Sequence, residues 1–139
     1  MDRKYVLLVE DNPADIVLTQ RVFEKCRIPN ELAVVRDGQE ALNFLFGNGS
    51  FAGRDLNQNP SLILLDLKLP YLNGLEVLEQ IKANKTTNAI PVVVLTSSDD
   101  QKDHRESARL GANSFVRKPV SYEEFRNLIQ ELVSFWCQC

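Results

Sequence analysis

The chain has 139 residues, close to the usual size of one domain, and we expect a single domain over residues 1–139. Hydrophobic residues make up 44% and charged residues 25%, as in ordinary globular proteins, which excludes a disordered chain and a small disulfide-stapled fold. Sixteen Lys and Arg against nineteen Asp and Glu give a net charge of −3, so neither nucleic acid nor a membrane surface is an expected partner.

Other sequence features favour a cytoplasmic location. No apolar run approaches the roughly 20 residues of a membrane-spanning helix. The charged start, residues 1–4, leads into an apolar run that is too short for a signal peptide. The three cysteines, Cys26, Cys137 and Cys139, lack the spacing of a disulfide framework or of a zinc site, so we expect reduced and inert thiols.

Five short apolar runs predict the strands of a sheet. In chain order they cover residues 6–9, 32–35, 62–65, 92–95 and 115–116. The runs are continuous rather than alternating, which is typical of a parallel sheet covered by helices on both faces. Residues 47–60, rich in Gly, Asn and Gln, are predicted to form a surface loop between the second helix and the third strand.

Apolar side chains at helical spacing predict five helices between and after these strands. They begin, in chain order, after Asn12-Pro13, after Asp37-Gly38, after Asn73-Gly74, near Asp100 and at Ser121. The fourth helix is mostly polar, with Ala108 and Leu110 as its only clear apolar anchors. The fifth helix is expected to bury Phe125, Leu128, Ile129 and Leu132, and to leave Val133, Phe135 and Trp136 partly off this stripe.

The alternation of five strands with five helices predicts a doubly wound α/β fold. Crossovers between parallel strands are right-handed, which distributes the helices over both faces of the sheet. Ligands of such sheets bind beyond the carboxyl ends of the strands. The informative residues are therefore those that end each apolar run: Glu10-Asp11 in the first, Asp66 in the third, Thr96-Ser97 in the fourth and Lys118-Pro119 in the fifth.

This set of side chains predicts a metal-dependent phosphoryl acceptor. The turn Glu10-Asp11 is acidic and has no glycine, so it would repel a nucleotide phosphate but suits Mg²⁺, which prefers oxygen ligands. Two unit charges about 4 Å apart repel by about 4 kcal/mol at an effective dielectric constant near 20, so clustered carboxylates need a cation, raised pKa values, or both. Lys118 can pair with a phosphate, Thr96 can donate a hydrogen bond to it, and Asp66 can act as the nucleophile.

Several of these residues also have a purely structural interpretation. Asn12 is expected to cap the first helix with Asp15 in its first turn, and we interpret both as structural. Thr96 taken alone is a common strand-end residue, and Lys118-Pro119 is compatible with a plain turn. His104 lies in the polar helix and is expected to be solvated.

The motifs Glu10-Asp11, Asp66 with Pro70 and Gly74, Thr96-Ser97 and Lys118-Pro119 resemble the receiver domain of two-component response regulators. The resemblance implies a flavodoxin-like sheet of order 2-1-3-4-5. It also implies that Asp66 is the phosphoacceptor for a sensor histidine kinase, with Lys118 and Thr96 assisting. Glu10, Asp11, Asp66 and the backbone carbonyl of Lys68 would hold Mg²⁺ or Mn²⁺. Thr96 and Phe115 would form the switch that alters the surface of helix 4, strand 5 and helix 5.

The segment from Glu10 to Asp15, the long loop before the third strand and Phe135-Trp136 resemble, more narrowly, the small response regulators of cyanobacterial phytochromes. This resemblance implies a phytochrome as the kinase, a phosphotransfer or effector protein downstream, and a homodimer. Phe115 departs from the tyrosine frequent at the switch position, which puts in doubt any step that needs a hydroxyl there. Lys68 places a cation two residues after Asp66, where it could change the lifetime of the acyl phosphate.

Two other classes of protein are alternatives to a switch that promotes only its own phosphorylation and dephosphorylation. A phosphatase of the haloacid dehalogenase type also forms an aspartyl phosphate, but it needs a second acid where this chain has Lys68. A flavodoxin-like electron carrier would need a phosphate-binding first loop in place of Glu10-Asp11.

Overall fold

A computed structural model describes residues 4–97 and 100–137 of the chain. Its strands are β1 (Tyr5–Val9), β2 (Glu31–Val35), β3 (Leu62–Leu65), β4 (Val92–Thr96) and β5 (Ser114–Arg117). Its helices are α1 (Pro13–Lys25), α2 (Gly38–Phe46), α3 (Gly74–Ala83), α4 (Gln101–Arg109) and α5 (Tyr122–Trp136). Each of the five predicted strands and five predicted helices is confirmed.

The five strands form one parallel sheet in the order β2-β1-β3-β4-β5. This is the doubly wound, flavodoxin-like fold that the sequence predicted. The register places Val9 beside both Val35 and Leu65, so that β1, β2 and β3 end at one edge. Thr96, at the end of β4, pairs with Arg117 at the end of β5. The residues that follow these strands are thereby brought to the same edge.

Helices cover both faces of the sheet, which explains why the strands are continuously apolar. On one face the odd-numbered residues of β1 and β3 pack against α2 and α3; its buried members include Leu7, Val9, Leu45, Ile63, Leu65, Leu78 and Ile81. On the other face the even-numbered residues pack against α1 and α5; its buried members include Val6, Leu8, Ile16, Val22, Leu62, Leu64, Phe125 and Ile129. The sheet, buried on both faces, thus supports the residues at its carboxyl edge.

The first helix begins as predicted. Asn12 Oδ1 accepts hydrogen bonds from the backbone N–H groups of Ala14 and Asp15, and Pro13 occupies the first position of α1. Ser121 similarly caps α5 by accepting from the backbone N–H of Glu124. These caps fix where each helix begins relative to the strand end that precedes it.

Helices α4 and α5 differ in detail from the sequence prediction. Ala108, expected to anchor α4, is exposed, and the buried residue of this helix is Ser107, whose hydroxyl donates to the carbonyl of Asp103. That internal hydrogen bond allows a hydroxyl rather than an apolar group to face the sheet. In α5, Val133 is buried instead of lying off the apolar stripe, and Leu128 is only half-buried.

Residues 47–60 form the predicted loop, with a short 3₁₀ helix over Gly49–Phe51. Arg54 holds it to the body of the protein by donating to the carbonyls of Phe44 and Leu45 at the end of α2 and to that of Gln58. Within the described residues, no helix is both long and apolar enough to cross a lipid bilayer.

Candidate phosphoacceptor and metal site

Three carboxylates meet at the carboxyl edge of the sheet. Glu10 and Asp66 are buried, with 2% and 7% of their surface exposed, whereas Asp11 is exposed. The sheet ladder places them, because the Glu10 N–H donates to the carbonyl of Val35 and the Asp66 N–H donates to that of Val9. One carboxylate oxygen of each of the three acids lies within 4.8 Å of the others. This is the cluster expected from the ends of the first and third strands.

The ammonium group of Lys118 lies among carboxylates at this edge. Its Nζ is 2.5 Å from Glu10 Oε1, 2.8 Å from Asp15 Oδ2 and 3.1 Å from Asp66 Oδ2. The backbone N–H of Lys118 donates to the carbonyl of Thr96 over 2.8 Å, which ties the start of the loop after β5 to the end of β4. An ammonium has three donors, and these three carboxylates can take all of them.

For both Glu10 and Lys118, burial and the hydrogen bonds of the ion pair shift the pKa in opposite directions. Burial raises the pKa of Glu10 to about 7, because desolvation of its carboxylate outweighs the hydrogen bond from Lys118, and the charge of Asp66 adds to the rise. Burial alone would lower the pKa of Lys118. Hydrogen bonds to Asp15 and Glu10, together with the charges of Asp66 and Glu10, outweigh this effect, so the pKa of Lys118 is raised above its usual range.

The loop after β3 shapes the surroundings of Asp66. The backbone N–H of Lys68 donates to Asp66 Oδ1 over 3.2 Å, so this oxygen and the Lys118-bound Oδ2 have different partners. The N–H of Gly74 donates to the carbonyl of Leu67. A Cβ atom at Gly74 would overlap the carbonyl oxygen of Asp66 and lie 2.5 Å from Leu67 Cα. Glycine is therefore required here by close approach of α3 to the strand end.

The donor set suits a hard divalent cation. Three carboxylates on one small patch supply oxygen ligands, and Asp11 is open to solvent, which leaves room for water ligands of the kind that Mg²⁺ retains. The single positive charge of Lys118 balances only part of the negative charge of Glu10, Asp11 and Asp66. Protonation of Glu10, favoured by its raised pKa, relieves a further part of their repulsion. A cation bound at Glu10, Asp11 and Asp66 would remove the remainder.

Comparison with known proteins agrees with this geometry. Residues 6–130 match the family model described as the response regulator receiver domain. The chain belongs to this family. It is also 40% identical over 135 residues to the response regulator Rcp1 of Synechocystis sp., covering 97% of this chain and 90% of Rcp1.

Solved structures of phytochrome response regulators resemble this receiver over nearly its whole length. The phosphorylated cyanobacterial phytochrome response regulator RcpA matches with a TM-score of 0.90 at 38% identity, covering 98% of this chain and 95% of that chain. The Mn²⁺-bound form of Rcp1 matches with a TM-score of 0.88 at 40% identity over 97% and 95% of the two chains. The bacteriophytochrome response regulator AtBRR matches with a TM-score of 0.79 at 47% identity, over 98% and 96% of the chains. This receiver is therefore related to the phytochrome response regulators.

The two residues predicted to form the receiver's switch lie at the end of β4 and on β5. Thr96 is fully buried at the end of β4. Phe115 is half-buried on β5, where its ring stacks on that of His104 with 4.6 Å between ring centroids and 12° between ring planes. His104 is exposed, as predicted, but it is not simply solvated, because it packs on Phe115. A helical residue facing the neighbouring strand cannot be told from a solvated one by composition alone.

Asp15 makes a contact in the receiver site that the sequence analysis did not predict. It lies in the first turn of α1, as predicted, and its carboxylate also contacts Lys118, which is 103 positions away in the chain.

The cysteines of the receiver lie away from this edge. Cys26 is half-buried after α1, Cys137 is buried after α5, and Cys139 lies outside the described residues. The expectation that these thiols are inert stays a prediction.

Proposed function

We propose that this receiver accepts a phosphoryl group on Asp66 from the phosphohistidine of a sensor histidine kinase. In this reaction an oxygen of Asp66 attacks phosphorus, the P–N bond breaks with its electron pair going to the imidazole, and an acyl phosphate forms. The receiver would promote only its own phosphorylation and dephosphorylation. The proposal also treats residues 1–139 as one receiver domain.

The placement of Lys118 against Asp66 carries this proposal. The ammonium lies 3.1 Å from Asp66 Oδ2, and it is held there by Glu10 and by the backbone bond to Thr96. It is therefore already in place to pair with a phosphoryl oxygen on Asp66. Thr96, tied to Lys118 through its carbonyl, would donate its hydroxyl to a second phosphoryl oxygen.

We assign the metal site to Glu10, Asp11, Asp66 and the backbone carbonyl of Lys68. The clustering of the three carboxylates supports this assignment, as does the solved Mn²⁺-bound form of the relative Rcp1. The chemistry supplied there by bound Mg²⁺ or Mn²⁺ would be neutralisation of charge on the phosphoryl oxygens. The chain itself holds the buried Asp66 carboxylate in place through the backbone N–H of Lys68 and the ammonium of Lys118.

The output is proposed to pass through the surface of α4, β5 and α5. Phosphorylation adds about one negative charge at a packed site. Movement of Thr96 toward this charge would open space for Phe115, which would leave its stack on His104. Because α4 faces the sheet with Ser107 as its buried residue, it has little apolar anchoring to resist such a shift.

Labelling of Asp66 tests the core of the proposal. Incubation with acetyl phosphate or fluoroberyllate and Mg²⁺ should modify the wild type stoichiometrically, as seen by intact-mass spectrometry or ¹⁹F NMR, and Asp66→Asn should not react. Asp55→Asn is a matched control, because it makes the same change in an exposed loop and should label normally. Full labelling of Asp66→Asn would contradict the assignment.

We propose a phytochrome as the kinase partner, because the solved relatives RcpA, Rcp1 and AtBRR include response regulators of phytochromes. The partner is tested by rates of phosphotransfer from a panel of purified kinases. A phytochrome should be fastest, and a faster transfer from an unrelated kinase would overturn this choice. A phosphotransfer or effector protein is the proposed recipient of the signal.

The end of α5 supports a homodimer. Phe135 is 65% exposed, and its ring packs edge to face on Trp136 with 4.8 Å between ring centroids. Beside this pair runs an open groove that also includes Asn113 and Ser114 at the start of β5. Trp136 is half-buried, whereas Phe135 offers an exposed ring of the kind that commonly anchors interfaces, and a two-fold dimer would place the same patch on both partners.

Light scattering on the wild type and on Phe135→Ala/Trp136→Ala, with and without fluoroberyllate, tests assembly. We expect a dimer in the wild type and a monomer in the double variant. Phe44→Ala serves as a control, because it removes an aromatic ring of α2 from the loop side of the protein. A wild type that stays monomeric at high micromolar concentration, with and without fluoroberyllate, would contradict the proposed homodimer.

A further inference from the structure

The carboxylate of Asp15 pairs with Lys118 but lies outside the cluster of Glu10, Asp11 and Asp66 that is assigned to the metal. Its Oδ2 lies 2.8 Å from the Nζ of Lys118, closer than Asp66 Oδ2 at 3.1 Å. The metal-binding group of carboxylates comprises Glu10, Asp11 and Asp66. Asp15 therefore contacts the ammonium of Lys118 but is not one of the carboxylates placed to bind the metal ion.

The position of Asp15 is set by the start of α1. Its backbone N–H donates to Asn12 Oδ1 over 3.2 Å, and its carbonyl accepts from the buried hydroxyl of Thr19 over 2.8 Å. The side chain is 31% exposed, against 3% for that of Glu10 and 9% for that of Asp66. Because its backbone is held on both sides, Asp15 presents its carboxylate to Lys118 from a fixed point at the solvent side of the site.

We propose that Asp15 is a positioning residue that holds Lys118 toward α1 and thereby weakens the affinity of the site for a phosphoryl group. The inference rests on the proposed function, because it concerns the phosphoryl group on Asp66. Lys118 has three donors, and the three carboxylates occupy them in the unphosphorylated protein. A phosphoryl group must take one of these donors while the negative charge of Asp15 stays nearby and repels it.

Removal of this charge should act in opposite directions on the anion and on the metal. Without Asp15, Lys118 is free to turn fully toward a phosphoryl oxygen, so an anionic analogue should bind more tightly. The same freed ammonium would compete more strongly for Glu10 and Asp66, so Mg²⁺ alone should bind more weakly. Damage to the fold would weaken both, and this difference in sign separates a positioning role from a structural one.

Calorimetric titration of Asp15→Asn provides the test. At saturating Mg²⁺ we expect the affinity for fluoroberyllate to increase about tenfold, which corresponds to about 1.4 kcal/mol. The affinity for Mg²⁺ alone should fall severalfold. Asp15→Glu restores the charge and should return both affinities toward wild type. Asp15→Ala is measured as well, because the amide oxygen of the asparagine in Asp15→Asn can still accept a hydrogen bond from Lys118.

Glu76→Gln is the matched control. Glu76 lies in the first turn of α3 and is exposed, so its substitution removes one negative charge near the same end of the sheet and should leave both affinities unchanged.

Tighter fluoroberyllate and weaker Mg²⁺ binding in Asp15→Asn and Asp15→Ala, with recovery in Asp15→Glu, would support the inference. If the wild type binds fluoroberyllate, an unchanged fluoroberyllate affinity in the variants, or weaker binding of both ligands, would overturn the inference about Asp15. The proposed function would then still stand. A wild type that binds none would overturn both.

Discussion

Replacement of Asp11 by Asn should stabilise the metal-free receiver while removing its response to Mg²⁺. Asp11 belongs to the cluster in which carboxylate oxygens of three acids lie within 4.8 Å of one another. Lys118 contacts Glu10, Asp15 and Asp66, and Asp11 has no part in these contacts. Loss of the Asp11 charge should therefore relieve repulsion without breaking an ion pair of Lys118.

The size of the gain follows from these distances. At 4.8 Å and an effective dielectric constant near 20, each ionised pair repels by about 3.5 kcal/mol. Asp11 is exposed, so solvent and salt screen most of this energy. We expect the free energy of unfolding to rise by about 1 kcal/mol, which is about 3–5 °C in the melting temperature of a domain of this size. Below pH 7 the gain should shrink, because Glu10, with its pKa of about 7, takes up a proton and its repulsion with Asp11 disappears.

Chemical and thermal denaturation with EDTA and with Mg²⁺ would measure both effects. Mg²⁺ at a hundredfold excess over its Kd should stabilise the wild type by about 2.7 kcal/mol and Asp11→Asn by much less. Asp55→Asn, the same substitution in an exposed loop, should resemble the wild type in both conditions. An Asp11→Asn protein that is less stable in EDTA, or that keeps the full Mg²⁺ response, would refute the reasoning.

Three further predictions concern the same edge of the sheet. Gly74→Ala should lower the free energy of unfolding by about 2 kcal/mol and slow the labelling of Asp66 by acetyl phosphate, because the added Cβ would displace the Asp66 backbone. Urea denaturation measures the first effect and mass spectrometry the second. The affinity for Mg²⁺ should fall as pH drops through about 7, since Mg²⁺ must displace the proton of Glu10, and calorimetry at several pH values would show it. Because the folded state holds this proton more tightly than the unfolded state, the contribution of Glu10 to the stability of metal-free protein should decrease from pH 4.5 to about 7.

The predictions for Gly74→Ala and for the affinity for Mg²⁺ each have their own contrary result. A Gly74→Ala protein with wild-type stability and labelling would mean that α3 can move away from the strand end at little cost. A Mg²⁺ affinity that is constant between pH 6 and 8 would mean that Glu10 is already ionised in the metal-free protein, contrary to its raised pKa.

Much of this receiver could be predicted from the sequence because the deciding signals are local. Continuous apolar runs such as residues 62–65 predict buried strands, and Asn12-Pro13 predicts the start of α1 through a side-chain cap two and three residues away. The carboxyl ends of parallel strands also lie at one edge of the sheet, so the proximity of Glu10 and Asp66 could be predicted from the sequence.

Tertiary structure alone decided what depends on the packing of one element against another. The carboxylate of Asp15 contacts Lys118 because α1 and the end of β5 converge, and no spacing along the chain encodes that distance. The stacking of His104 on Phe115 and the burial of Ser107 in place of Ala108 both depend on how α4 is rotated against β5. With almost no apolar stripe on α4, the sequence carries little information about that rotation, whereas the sheet and its neighbours set it by contact.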